Sequence, residues 1–262
     1  MRVLVTGGAS GLGASLARAF LERGDQVLVG DLAEPGSDQA PGVGGASYVR
    51  LDVRSDDDWA DAAAWVTEEW GGLDVLVNNA GVAGGGRIDL STMEEWQWIT
   101  EINLFGVVRG TRTFVPMLKA QGSGHIVNVA SLAGLVHPAG MGSYNAVKAG
   151  VVAFSETTSH ELAEYGVRCT AVCPSYFRTG LVQNMQGADR GVGQVIGALV
   201  AGAPLGPDEI AAAVIAGMDR GEELLLPDDA ARAAYDLKVR DRAAYDVVMR
   251  KQARRLNATE RQ

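Results

Sequence analysis

Histidine and cysteine are scarce in this 262-residue chain, three and two respectively, and their scarcity removes one class of protein at once. His125, His137, His160, Cys169 and Cys173 have nowhere the spacing of a zinc site, so no metal centre is expected. Both cysteines fall in or beside a stretch that reads as a buried strand, where a free thiol behaves as a small apolar side chain. Positive charge is also in short supply. With 23 Lys and Arg against 32 Asp and Glu, the formal charge of -9 leaves no broad basic face for a phosphate backbone, which argues against nucleic acid as a partner. No apolar stretch is long enough to span a bilayer. The opening run Arg2-Val3-Leu4-Val5-Thr6 reads as a core strand, with no room for a charged n-region and a cleavage site. A soluble, cytoplasmic protein with a small-molecule partner is expected.

Linkers are missing too: no Pro/Ser-rich or low-complexity run divides the chain, and 47% hydrophobic residues are ample for one buried core. The one change of composition is an Arg- and Ala-rich stretch from about Asp228. Residues 1–227 are therefore read as one domain and 228–262 as its helical C-terminal extension. Short Val- and Leu-rich runs at 2–6, 26–30, 47–51, 74–78, 125–129, 167–172 and 223–226 alternate with segments of helical periodicity. Runs apolar on both faces belong in a parallel sheet covered on both sides. The fold class is α/β: a doubly wound sheet of about seven parallel strands flanked by helices. Punctuation agrees, since Ser55 with Asp58 starts a helix that Gly71-Gly72 stops, and Gly166 ends another running from about Ser143 to Tyr165. Pro116 falls inside a helical pattern from Thr100 to Leu118, where it costs a backbone hydrogen bond.

Directly after the first strand comes Thr6-Gly7-Gly8-Ala9-Ser10-Gly11-Leu12-Gly13, opening a helix. A tight glycine turn at a helix N-terminus lets backbone N–H groups and the helix dipole face a pyrophosphate. The second strand ends at Asp31, about where a carboxylate would accept from the ribose hydroxyls of an adenosine. Its charge would repel the 2′-phosphate of NADP, and Ala9, Ser10 and Leu32 offer no compensating cation, so NAD(H) is favoured over NADP(H). Asp52-Val53 after the third strand and Asn78-Asn79-Ala80-Gly81 after the fourth suit a crevice where backbone approaches adenine and ribose.

Tyr144 and Lys148 stand four apart at the start of a long helix, which puts phenol and ammonium on one face. A cation about 4 Å away at an effective dielectric near 20 is worth about 4 kcal/mol, or about three pK units, enough to bring a phenol toward neutrality. Ser131, just after the fifth strand, can border the same strand-end crevice.

Taken together, Thr6-Gly7-x-x-x-Gly11-x-Gly13, Asp52, Asn78-Asn79-Ala80-Gly81, Asn103, Ser131, Tyr144-x-x-x-Lys148 and the run from Pro174 to Thr179 occur in the order and spacing of the short-chain dehydrogenase/reductase family, which the chain resembles over about residues 1–227. The resemblance implies a Rossmann-type NAD(P)-dependent oxidoreductase acting on a secondary alcohol or ketone. It implies Tyr144 as proton donor or acceptor, Ser131 as hydrogen-bond partner of the substrate oxygen, and Lys148 as holder of the nicotinamide ribose that also lowers the Tyr144 pKa. Asn103 would support a water linking Lys148 to solvent, and Pro174 and Thr179 would lie near the nicotinamide carboxamide. A homodimer or homotetramer is implied as well. One departure stands out: the family commonly has glycine after the proline, where this chain has Ser175, with less backbone freedom.

Residues 181–204, rich in Gly, Ala, Val and Met, read either as a lid over an apolar substrate or as a surface loop. Residues 132–141 should line another wall. A neutral, fairly apolar alcohol or ketone is the preferred substrate class, with Arg178 and Arg190 leaving a carboxylate open. The alternative to an enzyme is a catalytically silent nucleotide-binding or scaffold protein of the same fold.

Overall fold

The computed structural model describes residues 1–33, 43–180 and 185–258. Strands β1 (Arg2–Thr6), β2 (Gln26–Asp31), β3 (Ser47–Arg50), β4 (Val75–Asn78), β5 (Gly124–Val129), β6 (Val167–Val172) and β7 (Leu224–Leu225) form one sheet in the order β3-β2-β1-β4-β5-β6-β7. Every pairing is parallel, with Val3 of β1 opposite Val27 of β2 and Val75 of β4.

Alternation along the strands divides the core in two. Val3, Val5, Val27, Val29, Val75 and Val77 turn to one face, where they meet Leu16 and Phe20 of α1 (Gly11–Glu22) and Val214 and Met218 of α8 (Pro207–Asp219). Leu4, Leu28, Leu76 and Ile126 turn to the other face, against Trp59 and Val66 of α2 (Asp56–Trp70) and Phe114 and Leu118 of α4 (Gly106–Gln121). Because both faces are apolar, the sheet has to be covered twice. Helices α3 (Met93–Thr100), α5 (Ala133–Val136), α6 (Gly142–Leu162) and α7 (Arg190–Ala201) complete the body; α9 (Asp229–Arg240) packs against it through Tyr235 and Leu237, and α10 (Arg242–Ala258) through Tyr245 and Leu256. Among the described residues no helix is long and apolar enough to cross a membrane.

Ser55 caps α2 by accepting from the Asp58 N–H, and Gly71 closes it in the left-handed conformation. The pattern read as one helix from Thr100 to Leu118 is divided: a π turn at Glu101–Phe105 separates α3 from α4, and Pro116 lies inside α4. Residues 190–201, expected as lid or loop, are helical. Asp189 accepts from the Val192 N–H as N-cap, and Val192 and Ile196, four apart, bury one stripe; Gly193 and Gly197 had masked that periodicity. Positions 181–184 of that segment lie outside the described residues.

A buried polar relay fixes α6 on the sheet. Asn78 of β4 donates to Asn128 of β5 (2.9 Å), Asn128 donates to the Ser155 hydroxyl on α6 (2.9 Å), and Ser155 donates to the Val151 carbonyl (2.7 Å). All three side chains are buried, so each bond replaces one that water would otherwise make. Asn128→Ala strips Asn78 and Ser155 of a partner together and should lower the unfolding free energy by about 2–4 kcal/mol in a urea titration. A loss below about 0.5 kcal/mol would mean that the relay does not hold the helix.

Candidate active site

Strand order reverses between β1 and β4, which lie side by side and send their connections to opposite faces. Such a reversal opens a crevice beyond the strand C-termini. At its centre the chain turns from β1 into α1. Gly7 and Gly11 have φ of +62° and +52°, and a Cβ on Gly13 would sit 2.1 Å from the Gly7 carbonyl oxygen. Only glycine closes this turn. Ser10 is the N-cap of α1 but its side chain makes no capping bond, and the first turn holds no acidic residue. The helix N-terminus thus retains N–H groups for an anionic ligand. Leu12 sends its side chain into the core, leaving its backbone to the crevice.

Thr6, which sequence reasoning did not single out as a site residue, braces the turn from below. Its hydroxyl accepts from the N–H groups of Asn79 and Ala80 (3.0 Å each), while the Asn79 amide donates to the carbonyls of Thr6 (2.9 Å) and Gly7 (3.2 Å). Asp31 closes the neighbouring edge: one carboxylate oxygen accepts from the Ala9 N–H (2.9 Å) and the other from the Leu32 N–H (2.8 Å). Farther along, the Asp52 carboxylate is held by Arg54 (2.6 Å), which keeps it below its ordinary pKa. Val53 is a core residue whose carbonyl accepts from the Trp59 indole (3.1 Å). These features make a cradle for a dinucleotide, with uncapped N–H groups at one end and a carboxylate beside it.

On the other side of the crevice stand Ser131, after β5, and Tyr144 in the first turn of α6. Ser131 stands close enough to the Tyr144 hydroxyl to pull its pKa down, and the Ser131 hydroxyl accepts from the Ala133 N–H (3.1 Å). Lys148 is buried; its ammonium donates to the Val129 carbonyl (2.8 Å) and lies 5.8 Å from the Tyr144 ring centroid. The direction of the Tyr144 shift differs from the one expected. Burial pushes the phenol up to about 12, against the pull of Ser131, and burial brings Lys148 down to about 8. Desolvation favours the neutral form of each group, and this outweighs a cation that points at a carbonyl rather than at the phenol oxygen.

Asn103, in the π turn, has its amide committed to the Val82 backbone, accepting at 2.8 Å and donating at 2.9 Å. A Cβ on Gly81 would lie 3.0 Å from the Asn103 side-chain oxygen and 3.7 Å from the Lys148 nitrogen, so the β4 end meets the lysine there. The loop after β6 runs across the crevice: the Pro174 carbonyl accepts from the Leu132 N–H (2.9 Å), and the Thr179 hydroxyl oxygen is 3.2 Å from where a Gly11 Cβ would be. Ser175 is not left-handed; among described non-glycine residues only His137 is. Loss of glycine therefore imposes no backbone strain at this position.

Around Tyr144 the wall is apolar: Ile99, Ala133, Met141, Val147, Val192, Ile196 and Leu256 form one cluster with it. Leu256, from the far end of α10, was not anticipated. Arg178 is engaged by backbone, donating to the carbonyls of Ala203 and Pro204. A cavity of about 420 Å³ opens on the outer side of residues 138–142, lined by Arg87, Asn145 and Asn257 among others; Ser131, Tyr144 and Lys148 do not line it.

Comparison with known proteins places this geometry in context. The family model described as "short chain dehydrogenase" matches residues 1–190. The chain is similar to the 2,5-dichloro-2,5-cyclohexadiene-1,4-diol dehydrogenase of Sphingobium indicum, with 36% identity over 190 residues, covering 70% of this chain and 75% of that one. Among solved structures, a short-chain dehydrogenase/reductase from Burkholderia phymatum in complex with NAD superposes with a TM-score of 0.84 at 29% identity, covering 92% and 93% of the two chains. A short-chain dehydrogenase from Burkholderia cenocepacia in complex with NADP gives 0.81 at 27% identity, covering 95% and 96%.

Lys148→Met retains the apolar stem and removes the buried charge. Below about pH 8 the folded chain carries the cation that burial disfavours, and above the ordinary value of 10.5 the unfolded chain has lost it too. The unmodified chain should therefore gain stability as pH rises between those limits. Lys148→Met should be more stable than it by on the order of 1 kcal/mol at neutral pH, with the gap closing toward alkaline pH in paired thermal melts. A gap that widens with pH contradicts the assignment.

Proposed function

Because this chain belongs to the short-chain dehydrogenase family, we propose that it is an oxidoreductase interconverting a secondary alcohol and a ketone with NAD(H), and that Tyr144 is its general acid/base. The observation that carries this reading is the buried Lys148 beside the Tyr144 ring, with Ser131 set against the phenol, on the wall of the crevice that begins at the glycine turn.

The crevice fits a dinucleotide: N–H groups of Ser10, Gly11, Leu12 and Gly13 take the pyrophosphate, Gly7, whose own N–H donates to the Gly30 carbonyl (2.8 Å), shapes the turn beneath it, and Asp31 takes the adenosine ribose hydroxyls. Asp52 and Val53 border the adenine, Asn79, Ala80 and Gly81 the central backbone, and Lys148, Pro174 and Thr179 the nicotinamide end. When bound, a nicotinamide supplies the hydride donor or acceptor that no side chain offers. The side chains handle the proton. In ketone reduction the Tyr144 hydroxyl gives its proton to the substrate oxygen while Ser131 holds that oxygen; in alcohol oxidation Tyr144 takes the proton back. Burial keeps the phenol protonated, the form that reduction needs. Oxidation needs the phenolate, which burial disfavours and which the positive end of α6 helps to stabilise. Asn103, at the Lys148 side of the crevice, supports a water that passes the proton to solvent.

Related structures carry NAD or NADP, so the choice rests on Asp31. Its carboxylate is fixed by two N–H groups and has no cation beside it among the contacts described, which opposes a 2′-phosphate. The apolar wall and the engaged Arg178 favour a neutral substrate, and the neutral cyclic diol of the Sphingobium relative's name suggests a ring alcohol. Assembly as a homodimer or homotetramer belongs to the same reading.

Tyr144→Phe should lower turnover of a responsive alcohol by about 10²- to 10⁴-fold with NADH affinity within about threefold, and the unmodified chain should oxidise faster as pH rises through the alkaline range. Unchanged turnover, or an oxidation rate flat from about pH 6 to about pH 10, removes Tyr144 from this role. For Asp31→Ala, the preference for NAD(H) over NADP(H), read as a ratio of kcat/KM, should fall by about tenfold or more. Equal use of both cofactors by the unmodified chain contradicts the NAD assignment.

A further inference from the structure

Ser175 stands where the resemblance led us to expect glycine, and its surroundings give a reason for the change. Its hydroxyl donates to one oxygen of Asp228 (2.6 Å) and its N–H to the other (2.9 Å). Asp228 is 3% exposed, and the same carboxylate accepts from the Ala231 N–H (2.8 Å) as N-cap of α9. Three donors hold this buried carboxylate, and among the described residues no cation pairs with it. A buried charge is tolerated only when its hydrogen bonds are well made, so the arrangement tolerates little displacement.

We propose that Asp228 is a positioning residue: through Ser175 it locks the loop of residues 174–179, along which a nicotinamide cofactor lies, to the C-terminal helix α9. The proposal rests on the nicotinamide reading above. The loop starts beside Ser131, where the Pro174 carbonyl meets the Leu132 N–H, and ends where Thr179 faces Gly11 of the phosphate turn. Any ligand that reaches from the glycine turn to Tyr144 has this loop as a wall. Helix α9 also grips the opposite flank of Ser131. Lys238 donates to the Leu135 carbonyl and lies 3.1 Å from the His137 ring, and His137 is the left-handed residue that ends α5. Both strands of backbone next to the catalytic serine are thus tied to one helix of the C-terminal extension. The family-model match ends at residue 190, so the acceptor Asp228 lies outside it.

Ser175→Ala removes the hydroxyl bond and leaves the α9 cap intact, whereas Asp228→Asn disturbs all three bonds. In fluorescence titrations the Kd for NADH should rise by about fivefold in Ser175→Ala and about tenfold in Asp228→Asn. The double variant should equal Asp228→Asn alone, because both substitutions break the same link. With a responsive alcohol, the KM for NAD⁺ should follow the Kd while kcat at saturating cofactor stays within about twofold. NADH binding by the unmodified chain that is unaltered in both variants overturns the lock alone, even if Asp228→Asn melts at a lower temperature. Additive effects in the double variant also overturn it. An unmodified chain that binds neither NADH nor NADPH overturns the nicotinamide reading, and the lock with it.

Discussion

A lysine ammonium buried to 4% exposure, with the Val129 carbonyl as its hydrogen-bond acceptor, sets the conditions for the rest of this site. Its position requires α6 to lie at one height on β5, and the Asn78–Asn128–Ser155 relay and the packing of α6 on β6 supply that height. Tyr144, one turn earlier, is then carried to the strand-end crevice and to Ser131 without any choice of its own. Both titrating groups are kept in low dielectric, and both are pushed toward their neutral forms. Burying this cation costs stability, so the proposed role of Lys148 is opposed by the fold that places it.

The phosphate side of the crevice depends on absence of side chains, and the chemical side on their burial. Gly13 cannot carry a Cβ because the Gly7 carbonyl occupies the space, and Thr6 and Asn79 fix the turn by bonding backbone rather than each other's side chains. Opposite, Ser131 and Tyr144 are held by the short α5, the start of α6 and the loop after β6. The two halves meet at Thr179 and Gly11. The C-terminal helices bind to the chemical half at Ser175, Leu135 and Leu256's cluster, so the extension is structurally continuous with the site.

Much of this was legible beforehand because it depends on near neighbours in the chain. A strand apolar on both faces announces a covered parallel sheet, and all seven apolar runs pair in that sheet. Ser55 and Asp58 specify a cap within one turn, and Tyr144 and Lys148 share a face by helical periodicity. The π turn at Glu101–Phe105 was not visible, since its extra residue changes no apolar spacing strongly. Helix α7 was hidden by Gly193 and Gly197, whose low helix propensity is overridden by the burial of Val192 and Ile196.

Strands, glycine turn and the placement of a phenol and an ammonium four residues apart could all be read from the chain, because each is set by contacts within a few residues. Only the packed fold sets the direction in which burial pushes those groups and brings Ser175 to Asp228. Desolvation is a property of everything packed around a group, and the Ser175–Asp228 bond joins residues 53 positions apart. Local periodicity carries no information about either, because the atoms responsible come together only when the chain has folded.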